Sequence, residues 1–149
     1  MTEIRFYHLQ QKNIEQALPE ILEKALEHDY KIVIKVSDKE EVENIDKFIW
    51  TYKKDSFIPH GYKKNGTEKE QPIWITTKDE NPNSANMLVL VNSTSSTEID
   101  NFDLCCKIFD GNQSEIVETS RLQWKEYKEK NYNLSYFQQD VSGRWSKKA

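Results

Sequence analysis

Two groups of residues have types and spacing that could do chemistry, and in both the chemistry is recognition. The first is Ser120-Arg121-Leu122-Gln123-Trp124-Lys125-Glu126-Tyr127-Lys128. At helical spacing Val117, Arg121, Trp124 and Lys128 fall on one stripe, with Lys125 beside it. The stripe joins an apolar floor, an indole and three cations. Ile116, Ser120, Gln123 and Tyr127 form the neighbouring stripe, which can face a sheet. A guanidinium grips a carboxylate through two parallel hydrogen bonds, which an ammonium cannot do. The stripe therefore suits a short acidic peptide ending in an aromatic residue. The plainer reading is a solvated helix face with a snorkelling Trp. The second group runs from Phe48 to His60. Phe48 and Ile49 suffice to anchor a helix ending there, yet Trp50, Tyr52 and Phe57 follow, with Pro59 just beyond. Such aromatics are either core plugs or an interface patch.

Catalytic constellations are not found. Gly occurs only at 61, 66, 111 and 143, so neither GxGxxG nor GxxxxGK[ST] can be written. The first strand–helix junction, His8 to Asn13, has no glycine to let backbone approach a pyrophosphate. There is no GxSxG and no HExxH. His8, His28 and His60 are scattered, without a second His or a Cys at ligand spacing. The expectation is no catalytic residue, no metal and no cofactor. The adjacent Cys105 and Cys106 read as small core hydrophobes in a reducing compartment.

These residues need a scaffold, and 149 residues suffice for one domain. Hydrophobic residues are 36% and charged residues 31%, yet four Trp, seven Tyr and six Phe argue against disorder. The net charge of −4 argues against wrapping duplex DNA or RNA, because counterion release favours basic surfaces. Apolar runs predict strands at 4–9, 31–36, 73–76, 87–91 and 104–109. Between the first two, Ile14, Leu18, Ile21, Leu22, Ala25 and Leu26 recur at helical spacing, with Asn13 and Gln16 able to cap the start. Pro19 predicts a kink or a later start. Ser37 and Glu40 suggest a capping box for a second helix carrying Val42, Ile45, Phe48 and Ile49. A third helix is predicted from about Ser114 to Tyr132, after the turn signal Asp110-Gly111-Asn112. The fold class is α/β: a single-domain open, mostly parallel sheet with helices on both faces, Rossmann-like without a phosphate-binding loop. One domain covers 1–149. Residues 138–149 lack periodicity and are open to being a flexible tail. No membrane-spanning run or leader pattern is found, so a cytoplasmic location is expected.

Phe6-Tyr7-x-Leu9, Trp50, Ser56-Phe57-x-Pro59-His60, Pro72-Ile73-x-Ile75, Trp124-Lys125-x-Tyr127 and Tyr132-Asn133-Leu134 occur in that order. In these motifs the chain resembles the chi subunit of bacterial DNA polymerase III, from the first strand to Leu134. Asn86 stands where that family often has Asp, and Val117 where some members carry a further basic residue. The resemblance implies a non-enzymatic adaptor of DNA replication. It implies a heterodimer with the psi subunit, which ties it to the clamp loader, through Trp50, Phe57 and Pro59. It further implies capture of the acidic, Phe-terminated tail of single-stranded DNA-binding protein by Val117, Arg121, Trp124, Lys125 and Lys128. DNA would be met only indirectly. The runner-up is a degenerate nucleotide-binding α/β enzyme. A direct single-strand DNA binder is disfavoured by the charge of −4.

Overall fold

The computed structural model describes residues 2–52, 61–62 and 71–149. The elements are β1 (Glu3–Leu9), α1 (Ile14–Glu27), β2 (Ile32–Lys35), α2 (Lys39–Thr51), β3 (Gly61–Tyr62), β4 (Ile73–Thr76), β5 (Met87–Val91), β6 (Leu104–Asp110), α3 (Ser114–Glu129), β7 (Asn133–Gln139) and β8 (Trp145–Lys147). They form one sheet in the order β3-β4-β2-β5-β6-β1-β7-β8. Every neighbouring pair is parallel except β7 with β8. The α/β class and the largely parallel sheet are as predicted.

Apolar residues on both faces explain why the central strands read as continuous runs. β5, MLVLV, is buried at all five positions. On β6, Leu104, Cys106 and Ile108 join the layer under α1 and α2, while Cys105 and Phe109 join the layer under α3. The two cysteines are thus free, buried and on opposite faces, as expected for core hydrophobes. Among the described residues, no helix is long and apolar enough to cross a membrane.

The local signals fare unevenly. Asn13 and Gln16 make the full reciprocal capping box of α1. The helix begins at Ile14 and runs through Pro19, so the later start does not occur. The second helix is capped one residue later than read, and without the reciprocal bond of a capping box. Asp38, not Ser37, is the N-cap, accepting from Glu41 N at 2.9 Å. Glu41 Oε2 in turn accepts from Ser37 N at 3.0 Å. The third helix ends at Glu129, short of Tyr132. Residues 133–139 and 145–147, which carried no strand prediction, are β7 and the antiparallel β8. Regular structure therefore reaches well into the segment read as a tail.

Candidate recognition site on the third helix

α3 leaves the sheet through a tight turn. Gly111 N donates to Leu9 O at 2.7 Å. A Cβ at Gly111 would lie 2.1 Å from His8 Cδ2 and 2.3 Å from Leu9 O, so only glycine fits this close approach. Asp110 holds the turn, accepting from Asn112 N and from Gln113 Nε2, both at 2.9 Å.

The helix then sits with Ser120, Gln123 and Tyr127 buried against the sheet, and Ile116 half-buried. This is the predicted inward stripe. It fixes the rotation of the helix and so aims the next stripe. Val117 and Trp124 are half-buried and pack on the cluster of Phe6, Phe109 and Tyr127. Arg121, Lys125 and Lys128 are exposed. The structure therefore brings together all five residues expected to form a peptide site: two apolar walls within a helical turn or two of three solvent-facing cations.

Trp124 is held by edge-to-face contacts with Phe6 at 5.2 Å and with Tyr136 at 5.5 Å. Tyr136, on β7, lies nearly parallel to Phe6 at 6.1 Å and places its hydroxyl 2.6 Å from His8 Nδ1. His8 is buried, and that burial lowers its pKa; the Arg121 charge lowers it further, opposed by its hydrogen bond to the Gly111 backbone and by Asp110. Burial raises the Tyr136 pKa, opposed by Arg121. Arg121 thus shares one local field with His8 and Tyr136. Sequence reasoning named neither of these two as site residues. No helical spacing links them to Arg121, since β1 and β7 carry them there.

The second surface is described only in part. Trp50, in the last turn of α2, is 57% exposed, while Ile49 beside it is buried and Phe48 half-buried. The anchoring roles of Phe48 and Ile49 are therefore separate from that of Trp50. Phe57 and Pro59 lie outside the described residues.

The crevice at the carboxyl ends of β1 and β6 is where an open α/β sheet usually receives a ligand, since the chain leaves these neighbours toward opposite faces. Here the amides of Gln10, Gln11 and Lys12 all donate to Gln139 Oε1, at 3.0, 3.0 and 3.1 Å. Three successive N–H groups of this kind would suit a phosphate. The chain's own glutamine occupies them.

Comparison with known proteins adds two likenesses. Residues 1–135 match the family described as DNA polymerase III chi subunit, HolC. The chain is also 34% identical, over 99 residues, to the "Probable DNA polymerase III subunit chi" of Rickettsia prowazekii (strain Madrid E). That likeness covers 66% of this chain and 60% of the relative's length.

Proposed function

The chain belongs to the DNA polymerase III chi subunit family, and from that premise we propose that it is a non-catalytic accessory protein of DNA replication. Its α3 stripe binds the acidic C-terminal tail of single-stranded DNA-binding protein. The surface around Trp50, with Phe57 and Pro59, binds the psi subunit and through it the clamp loader. Coated single-stranded DNA is thereby linked to the polymerase without direct contact between this chain and DNA.

One observation carries the tail reading: exposed Arg121 beside an indole that two other rings hold in place. Arg121 takes the terminal carboxylate bidentately. Trp124 and Val117 wall the terminal ring, and Lys125 with Lys128 draws in upstream acids. Few residues are gripped and a disordered tail loses entropy on docking. Affinity is therefore expected to be about micromolar, near −8 kcal/mol. Fluorescence anisotropy with a labelled acidic peptide ending in Phe tests this. Arg121→Ala is expected to weaken binding by about tenfold or more, and Lys128→Ala by less. Equal binding of a peptide lacking its terminal Phe, or unchanged binding by Arg121→Ala, would falsify the site. The occupied amide nest at Gln139 weighs against the degenerate nucleotide-binding enzyme, which would need those amides for its phosphates.

A further inference from the structure

The recognition stripe of α3 overlooks an open shelf of the sheet. Trp124 meets Tyr136 of β7 edge-on at 5.5 Å, and the Arg121 charge acts on both Tyr136 and His8, so the stripe looks toward β7. Beyond β7 lies β8, the last strand in the sheet order. Side chains alternate between faces along a strand, and residues directly opposite on two strands share a face. Leu134 and Tyr136 pack in the layer under α3, which puts Gln138 on that face too. Gln138 pairs with Ser146, so Ser146 joins it, and Lys148 follows two residues on, just past β8. The Lys148 amide donates to Tyr136 O at 2.7 Å, which seats this lysine level with the tyrosine. Trp145 gives the same phase from the other side. It meets Tyr7 in the layer under α1, and Lys147, opposite Phe137, points that way as well.

Tyr136, Gln138 and Ser146 are half-buried and Lys148 is exposed, which marks a margin of the sheet that α3 leaves open. β7 and β8 contain no carboxylate. Asp140, in the turn between them, is engaged by Ser142, accepting from its N at 2.8 Å and its Oγ at 2.6 Å. Among the described residues Lys148 makes no ion pair. The shelf therefore has a polar floor and cations on both banks: Arg121, Lys125 and Lys128 on α3, and Lys148 on the outer side. In a chain of net charge −4 this is a local reversal of sign, and it complements an extended acidic segment. The family likeness ends at residue 135, so it assigns nothing to Ser146 or Lys148. Resting on the tail reading above, we propose that the β8 margin is the outer bank of the tail site. The acidic residues upstream of the terminal aromatic lie across Gln138 and Ser146, and Lys148 pairs with one of their carboxylates.

Lys147 and Lys148 are exposed neighbours whose side chains diverge to opposite faces, and this supplies the control. Lys147→Glu and Lys148→Glu change the net charge equally. Each is titrated, in the full chain, against a labelled acidic peptide ending in Phe, with anisotropy as the readout. At about 0.1 M salt, charges more than about 10 Å apart are largely screened. Lys148→Glu is therefore expected to weaken binding by about fivefold, and Lys147→Glu by less than about twofold. A second peptide keeps the terminal Phe and its carboxylate but carries Ser and Asn in place of the upstream acids. Against it, Lys148→Glu is expected to bind as the parent does. Equal losses in the two variants, unchanged affinity in Lys148→Glu, or a full loss with the second peptide each overturns the outer bank. The parent protein and Arg121→Ala, run alongside, keep the two readings apart. A parent that binds and an Arg121→Ala that does not, together with a silent Lys148→Glu, sink this inference alone. A parent that binds neither peptide sinks the tail reading and this inference with it.

Discussion

Lys107 is fully buried in β6, yet its ammonium is not idle: Nζ donates to Asn92 O at 2.5 Å and to Thr94 O at 2.7 Å. These carbonyls belong to the turn after β5, where Asn92 itself has φ of 55°. A methionine would fill the same space but leave both acceptors without this donor. Burial pushes the lysine pKa down to about 7, opposed by Cys105. An unfolded lysine titrates near 10.4, so between about 7 and 10.4 the unfolded chain holds more protons, and the lysine contribution to stability rises with pH. Below about pH 7 both states are protonated and the burial penalty is complete. The buried thiols of Cys105 and Cys106, pushed up by burial, act with the opposite sign above about 8.5. The informative quantity is therefore the difference between two proteins. Lys107→Met is expected to lose the lysine-driven rise, and to be less stable than the parent at pH 9 by about 1–3 kcal/mol. Urea unfolding at pH 7 and pH 9 measures both; identical slopes in the two proteins would remove Lys107 from the account. Gly111 makes a simpler case. Gly111→Ala drives a methyl into the His8 ring and is expected to cost about 2 kcal/mol or more, as overpacking does. It is also expected to displace His8 from Tyr136, loosening the floor under Trp124, which peptide binding would report.

At the level of elements, α2 shows how tertiary contacts choose among local signals. Ser37 and Asp38 can both cap a helix. Ser37 Oγ instead lies 3.1 Å from Thr94 Oγ1, across to the loop after β5, and Asp38 takes the cap with φ −149° and ψ 172°. Asp38→Ala is accordingly expected to cost about 1 kcal/mol in chemical unfolding, and Ser37→Ala clearly less; the reverse ranking would restore the box read from sequence. The elements that sequence reading recovered are those with a plain burial signal: near-continuous in β2, β4, β5 and β6, alternating in β1, and at helical spacing in the three helices. β7 escaped because its burial follows no clean alternation: Ser135 and Gln139 are its buried residues, while Leu134, Tyr136 and Phe137 are only half-covered. β8 and β3 are three and two residues long, too short to carry any period. The same contrast holds for the site. The stripe of α3 follows from helical geometry alone, so Arg121 and Trp124 could be paired on paper. The His8–Tyr136 contact joins residues 128 apart, and the Gln139 contacts to the β1–α1 junction span as many as 129. Such pairs exist only once the parallel register of β1 and β7 is set.

At the scale of the whole molecule, the sheet separates the two surfaces proposed for recognition. Trp50 belongs to α2, whose buried residues pack into the layer with α1, while Arg121 and Trp124 belong to α3 on the far face. The strands of the sheet lie between them, and among the described residues no element carries residues of both sites. Binding at one surface should therefore leave the other unchanged, because sites without shared partners are additive to within about 0.5 kcal/mol. Trp50→Ala is expected to weaken psi capture by about 2 kcal/mol while leaving tail-peptide affinity as in the parent, and Arg121→Ala to do the converse. Ionic strength separates the two by a second route. The chain carries a net charge of −4, so its long-range field repels an acidic peptide, and attraction comes only from the local cations at and beside α3. Those cations are exposed, and their reach is about 10 Å at 0.1 M salt and shorter above it. Raising salt is therefore expected to loosen the tail peptide several-fold and to leave the aromatic Trp50 contact nearly unaffected, since apolar burial does not depend on screening. Calorimetry of each ligand alone and in the presence of the other, at two salt concentrations, measures every term. A coupling well above 0.5 kcal/mol between the two ligands would mean that the sheet transmits strain between its faces, and the picture of two independent surfaces on a rigid scaffold would have to be given up.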